Sequence, residues 1–535
     1  MGESVKGVFA RKASGLVRAF APQDALYMNV IGVAPMVSIV PLLYMTSTMY
    51  PGADLYLAFT IALIVAIPFG WTYAMLSTAY PRSGGDYVYN SRIVHPSYGL
   101  AGSGLYLVIN IIGVGQFPMF TAWYISSIFA ILGTMYNNPS LTNLGSYIAS
   151  VEGTIVTVTL IIIWSAIINI LGVRFHAIIQ RIYFVIAAIG TLILFGVLAF
   201  TTHQYFVNAF DASVAQYGTS FSDLIARAKE AGYQPPPFSM ATTLLATVFL
   251  FEFLTTAWPV MIAGEVKSPA KSLILSCVGG IFLSWVLYMV TTGLYYRVFT
   301  PDFANAVTWL HMNKPDMYPL PHAPYLTYLI GFLSRNPIIL ALIGIGFICW
   351  GLSLTPNHIM IVSRPLFAYA MDKVFPGKFA SVSERTHTPV FSIVVTAILG
   401  EIVLIITAYA GWLIGLTLNV AVGCAIYFLF TLFAGVLFPI LKKDLFEASP
   451  AIVKAKIGPI PIVSITGAFS GIAMLWALST YFMHPELSGP VSPASVSFII
   501  VVIILFALDY YIARWYRRKK EGIDISLNYT EIPPT

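Results

Sequence analysis

The chain has 535 residues, 58% of them hydrophobic and only 9% charged, with a formal net charge of +6. Soluble domains carry roughly 25% charged residues, so this composition excludes a water-soluble globular protein. The positive balance does not point to nucleic acid either, because the cations are sorted between two faces rather than gathered in one patch.

A helix needs about 20 apolar residues to cross a hydrocarbon core of ~30 Å. Twelve stretches long enough follow one another, near 24–50, 54–78, 97–134, 151–172, 177–203, 239–263, 270–297, 336–370, 389–410, 412–440, 461–484 and 494–516. They predict an all-α polytopic membrane protein with twelve transmembrane helices. Residues 1–23 are basic and contain no apolar core ending in small residues, so span one is expected to serve as its own insertion signal. With the N-terminus placed in the cytoplasm, only Arg227, Lys229, Arg297, Lys314 and Arg335 of the 28 Lys and Arg fall in outer segments. By the positive-inside rule this bias puts both tails, 1–23 and 517–535, in the cytoplasm of a multi-pass cell-membrane protein.

Span one is interrupted at Gly32-Val33-Ala34-Pro35, and span six around Glu252-Phe253-Leu254-Thr255-Thr256, with Pro259 just beyond. Lipid offers no partner to a freed N–H or C=O, so such breaks survive only where a ligand, an ion or water meets them. Paired discontinuous helices in two halves of a chain mark a transporter's binding site. Five is odd, so spans six to ten cross in the sense opposite to spans one to five. The expected architecture is therefore a 5+5 inverted repeat, 24–203 and 239–440, with broken first and sixth helices. Spans eleven and twelve (461–516) stand outside it as scaffold or as a homodimer contact. Two long outer loops, 204–238 and 298–335, are expected to hold short capping helices.

Polar groups inside spans are expensive and usually functional. Glu252, at the second break, has no Lys or Arg in its segment and is the candidate proton carrier or counter-charge. Glu401, mid-span in the ninth segment, reads as a structural hydrogen bond. His358 either lines the cavity or is a satisfied core residue. Ser353 and Thr355 could give oxygens to sodium, although such hydroxyls often bond their own backbone. Tyr106 and Asn110 are four apart and share one helix face, directed to substrate or to a neighbouring helix. Phe251, Phe253 and Trp258 could close over a substrate or stack on a cation. Cys277, Cys349 and Cys424 lie in apolar segments and read as small core residues. There is no phosphate-binding Gly-x-x-x-x-Gly-Lys-Ser/Thr loop and no His-Glu-x-x-His or Cys-x-x-Cys arrangement. ATP as a power source, a metal centre and a cofactor are accordingly not expected, nor is an enzyme.

Three further stretches carry a resemblance. Tyr80-Pro81-Arg82-Ser83-Gly84-Gly85-Asp86-Tyr87-Val88-Tyr89 follows span two, and Gly264-Glu265-Val266-Lys267-Ser268-Pro269 follows span six. Ser363-Arg364, Phe367-Ala368 and Asp372-Lys373-Val374-Phe375-Pro376 end span eight, with Thr388-Pro389 beyond. In this order the chain resembles the amino acid–polyamine–organocation transporter superfamily. The resemblance implies an amino acid permease-like carrier in which backbone N–H groups at the first break hold a substrate carboxylate and carbonyls at the sixth-span break hold the amino group. The matching positions are Gly32, Val33 and Ala34, and Phe251, Phe253, Leu254 and Thr255. Two departures matter: Ala34-Pro35 replaces the usual Gly-x-Gly core, and Ala187 stands where several members place a coupling Lys. The combined expectation is a secondary active transporter of amino acids or related amines, coupled to protons or sodium or working by exchange. A polyamine or organic-cation carrier with Glu252 as counter-charge is the alternative, and a channel or ligand-sensing receptor the reading from another class.

Overall fold

The computed structural model describes residues 14–530, apart from 137, 255, 335, 411–412 and 485–491, and apart from the side chains of 134–135, 249–250, 252–254 and 413–419. Among the described residues, eleven helical stretches are long and apolar enough to cross a membrane. Ten match the expected spans two to five and seven to twelve within a few residues at most ends: Leu55–Ala79, Pro96–Met135, Val151–Ile170, Val173–Phe200, Pro269–Phe299, Pro337–Met371, Val390–Ala410, Leu413–Leu441, Ile462–Met483 and Pro493–Glu521. The eleventh, Pro22–Met49, is span one.

Span six is missing from those eleven for a physical reason. Its helix, Met240–Leu254, has 15 residues; at 1.5 Å per residue that covers roughly 22 Å, short of a ~30 Å core. The chain completes the segment as two 3-10 turns, Trp258–Met261 and Ala263–Glu265. Span one is also discontinuous: helix Pro22–Val33 stops at Ala34, and Pro35–Met49 starts anew. Ala34 adopts φ 49°, ψ 51°, a left-handed conformation that costs a residue with a Cβ about 1–3 kcal/mol. Pro35 enforces the break, because it has no N–H to return to the Ile31 carbonyl.

Span three is one continuous helix of 40 residues, roughly 60 Å long, and therefore projects beyond the bilayer core. Span eight packs against both span three and span five, and span ten against span three. The two long loops hold helices, as expected: His203–Val214 and Phe221–Glu230 in one, Pro301–Asn313 and Leu326–Leu329 in the other. They are joined by a phenylalanine cluster, in which Phe221 stacks on Phe303 at 4.5 Å and Phe206 meets Phe299 edge-on at 4.8 Å.

The opposite face carries the short helix Asp86–Ile93 and a two-residue antiparallel hairpin that pairs Lys456 with Pro461. The C-terminal tail returns to this face, with Ile525 and Tyr529 buried. Arg92 and Asp372 pair at 2.8 Å with both side chains buried. Tyr87 donates its hydroxyl to Asp372 at 2.8 Å and shares a second bond with Tyr529. Asn528 donates to the Asp372 carbonyl at 3.1 Å.

Candidate functional site

The two breaks touch. A Cβ placed on Gly32 would lie 2.5 Å from Thr256 Cγ2 and 2.9 Å from the Trp258 ring, so only glycine lets the end of the first half-helix approach the sixth segment this closely. The Trp258 ring meets His358 of span eight at 4.4 Å, and Phe117 of span three lies 5.0 Å from the same imidazole. Gly113, one turn before Phe117, faces His358 Cδ2 with room for no side chain of its own. Four segments thus converge on one aromatic box.

The backbone of the first break offers acceptors. Ile31 loses its donor to Pro35, and the Val37 N–H turns to Ala34 rather than to Val33. Ser38 Oγ also bonds the Ala34 carbonyl, at 2.9 Å, while holding Tyr288 at 2.6 Å. One turn on, Pro41 deprives Val37 of its donor, and Tyr124 of span three supplies one at 2.8 Å. Pro22–Val33 and Met240–Leu254 both direct their C-terminal, negative dipole ends to this junction. Helix Pro35–Met49 brings one positive end to the same place, but the freed carbonyls, the two negative ends and the ring faces together favour a cationic group such as an ammonium.

Gly32, Val33 and Ala34 are therefore placed at the junction, and His358 with them. The His358 Nδ1 lies 3.1 Å from the Leu354 carbonyl, which requires the proton on that nitrogen and leaves Nε2 as acceptor. Phe251 is buried on the sixth helix. Thr255 and the side chains of Glu252, Phe253 and Leu254 lie outside the described residues. Ser353 bonds its own helix at Trp350 O, 2.8 Å; Thr355 Oγ1 is buried without a partner. Asn110 donates to the Tyr106 carbonyl at 2.8 Å and stands about one turn of span three from Gly113. Tyr106, about a turn further, packs edge-on against Tyr427 at 4.8 Å. Glu401 accepts from Thr159 of span four at 2.5 Å, a helix-to-helix bond of the structural kind.

Nearer the tail-bearing face, the three sequence motifs form one assembly. Arg364 Nε and Nη2 grip Glu265 at 2.9 and 2.7 Å, and Ser83 adds a bond to the same carboxylate at 3.0 Å. Both charged side chains are wholly buried. Gly84 and Gly85 have φ of 110° and 53°, and a Cβ on either would meet Ala368 or Met261 at 2.5 and 2.4 Å. The N-terminal segment seals the assembly: Ala19 and Phe20 donate to the Glu265 carbonyl, and Lys267 donates back to Phe20. A second ion pair, Arg181 to Asp24 at 2.5 Å, fastens the start of span one to span five. Sequence reading found these motifs singly. Their union was legible only in that each contributes one polar residue and that two of these carry opposite charges.

A polytopic bundle with two opposed half-helix ends at its centre and a sealed ionic plug beneath them is the architecture of a membrane carrier. The amino acid permease family model matches residues 25–508, and the chain belongs to that family, within the amino acid–polyamine–organocation superfamily. Membership makes it a membrane transport protein for amino acids or related compounds. No curated protein matches the chain.

Proposed function

We propose that this protein is a secondary active transporter that moves amino acids or related amines by alternating access. The observation that carries the reading is the contact of Gly32 with Thr256 and Trp258, which joins the two helix breaks. The substrate's ammonium sits among the freed carbonyls of span one and the rings of Trp258, Phe117 and His358. The Glu265–Arg364–Ser83 assembly is the gate on the cytoplasmic side and opens when the sixth segment moves against span eight. Residues 24–203 and 239–440 act as the two inverted repeats, and the Lys and Arg bias supports both termini lying on the cytoplasmic side of the cell membrane. A proton or sodium gradient, or exchange, drives accumulation, with Glu252 as the candidate coupling carboxylate. Spans eleven and twelve present Ile472, Leu475, Leu505 and Trp515 outward, surface that lipid or a second copy would cover.

A second reading has its own support. Pro35 has no N–H and those of Val37 and Ser38 are engaged by Ala34, so the first break offers a carboxylate little beyond the Met36 N–H. That favours amines without one: polyamines or organic cations.

Uptake into proteoliposomes of amino acids and, separately, of amines, with pH and sodium gradients imposed one at a time, tests both. Saturable uptake with counterflow is expected. Flux that never saturates would replace the carrier with a channel, and saturable uptake of amines but not of amino acids would select the second reading.

A further inference from the structure

Asp86 opens the short helix Asp86–Ile93 and is fully buried. Its Oδ1 accepts the Tyr87 N–H at 2.8 Å, whereas its Oδ2 has no hydrogen-bond partner. Tyr106 Oη on span three and Asn90 Oδ1 on the same helix are also buried without a hydrogen-bond partner, while the hydroxyls of Tyr73 on span two and Tyr89 on the same helix turn to Thr431 and Ser77. Three orphaned polar atoms in one region depart from the rule that buried polar groups are paired.

The groups facing Asp86 come from five segments. Tyr73, Tyr89, Tyr106, Tyr369 of span eight and Tyr427 of span ten all lie within electrostatic reach of its carboxyl. Cys424 adjoins Tyr73, Tyr106 and Tyr427, and Cys277 adjoins Tyr89. None of these is a cation. Arg92, farther along the same helix, is committed to Asp372. An isolated buried carboxylate is too costly to persist, so it binds a proton or a cation. Burial pushes the Asp86 carboxyl up to about 7, against the opposing pull of the backbone N–H groups of Tyr87 and of Asp86 itself.

We propose that Asp86 is a proton-binding site, set among the side chains of Tyr73, Tyr89 and Tyr106, that loads and unloads as the carrier cycles. A proton from water adds to the free Oδ2, converting the carboxylate to a neutral carboxylic acid. Unloading returns that proton to water. The same short helix is tied to the gate: Gly84 and Gly85 wedge between Ala368 and Met261, and Tyr87 and Arg92 hold Asp372 at the end of span eight. Charge at Asp86 therefore bears on the elements that must move. The site's use rests on the transporter reading; its existence does not.

Infrared titration of the full chain in detergent tests the site without transport. The wild type is expected to show a protonated carboxyl band that vanishes with a midpoint near 7 and is absent in Asp86→Asn. The thermal midpoint should fall as pH rises between about 4 and about 7, since only the folded state holds the proton there, and Asp86→Asn should lose that slope. An unchanged band in Asp86→Asn overturns the proposal. Sodium that stabilises the wild type but not Asp86→Asn at pH above the midpoint also overturns it, in favour of a cation site. If Asp86→Asn does not fold, Asp86→Glu serves instead, and a carboxyl band unchanged in position and midpoint in that variant overturns the proposal. In proteoliposomes, an imposed pH gradient should speed uptake by the wild type only. A titrating Asp86 in a wild type that transports nothing keeps the site and removes the transport reading.

Discussion

The junction of the broken helices and the ionic plug beneath it solve opposite problems. At the junction, carbonyls of span one have lost their helical donors and the described side chains are Trp258, Phe117, His358 and Thr256. At the plug, a carboxylate receives three bonds, two of them from a guanidinium, and nothing charged is left bare. A binding site has to keep unmet hydrogen-bonding capacity for its ligand, whereas a gate has to satisfy itself while shut. The contrast teaches which region tolerates neutral change: the first should lose transport before stability, the second stability before anything else.

The largest expected effect breaks the plug. Arg364→Ala would leave Glu265 buried and unpaired, at a cost of about 3–5 kcal/mol. Thermal unfolding in detergent should show it, and Arg364→Lys should recover only part, because a lysine cannot make the bidentate grip. If Arg364→Ala unfolds with the wild type, the plug does not carry the load assigned here. Next comes Gly32→Ala. Its methyl has no room against Thr256 and Trp258, so overpacking of about 1–3 kcal/mol is expected to fall on the junction. Transport should drop at least tenfold while yield and folding stay near normal; normal uptake would separate the two breaks.

Tyr124→Phe is a smaller probe. It withdraws the hydroxyl that donates to the Val37 carbonyl, worth about 1 kcal/mol, and should lower both the thermal midpoint and the uptake rate modestly. Equal stability would mean that the freed carbonyl finds another donor. The smallest effect is expected for Glu401→Gln. The amide can still accept from Thr159, so stability should shift by less than about 1 kcal/mol with coupling to pH or sodium unchanged. A lost gradient dependence would move Glu401 from structure to mechanism.

Much of the fold was legible from the chain because lipid imposes one rule on every backbone group. Apolar length fixed ten spans, and Pro35 with Pro259 marked the two segments that could not stay wound. Chemistry was less legible. Glu265, Arg364 and Ser83 are separated by 99 residues or more, and no periodicity ties them. Tyr106 was open between substrate and a neighbouring helix by its helix face, and which neighbour it meets depends on span ten, which supplies Tyr427. Asp86 read as one letter of a loop motif, since burial by four other segments leaves no local trace. The tail behaved likewise: residues that look solvated fold back because Arg92 and Asp372 await them.

By itself, then, the sequence determined that this protein crosses a bilayer many times, where two of its helices must break, and which family it resembles, because hydrophobic length, proline and charge bias act locally. Tertiary structure alone decided which breaks meet, which charges are paired and which carboxyl is stranded. Those outcomes depend on partners hundreds of residues away, and the energy of a buried polar group is set by whatever surrounds it rather than by its neighbours in the chain.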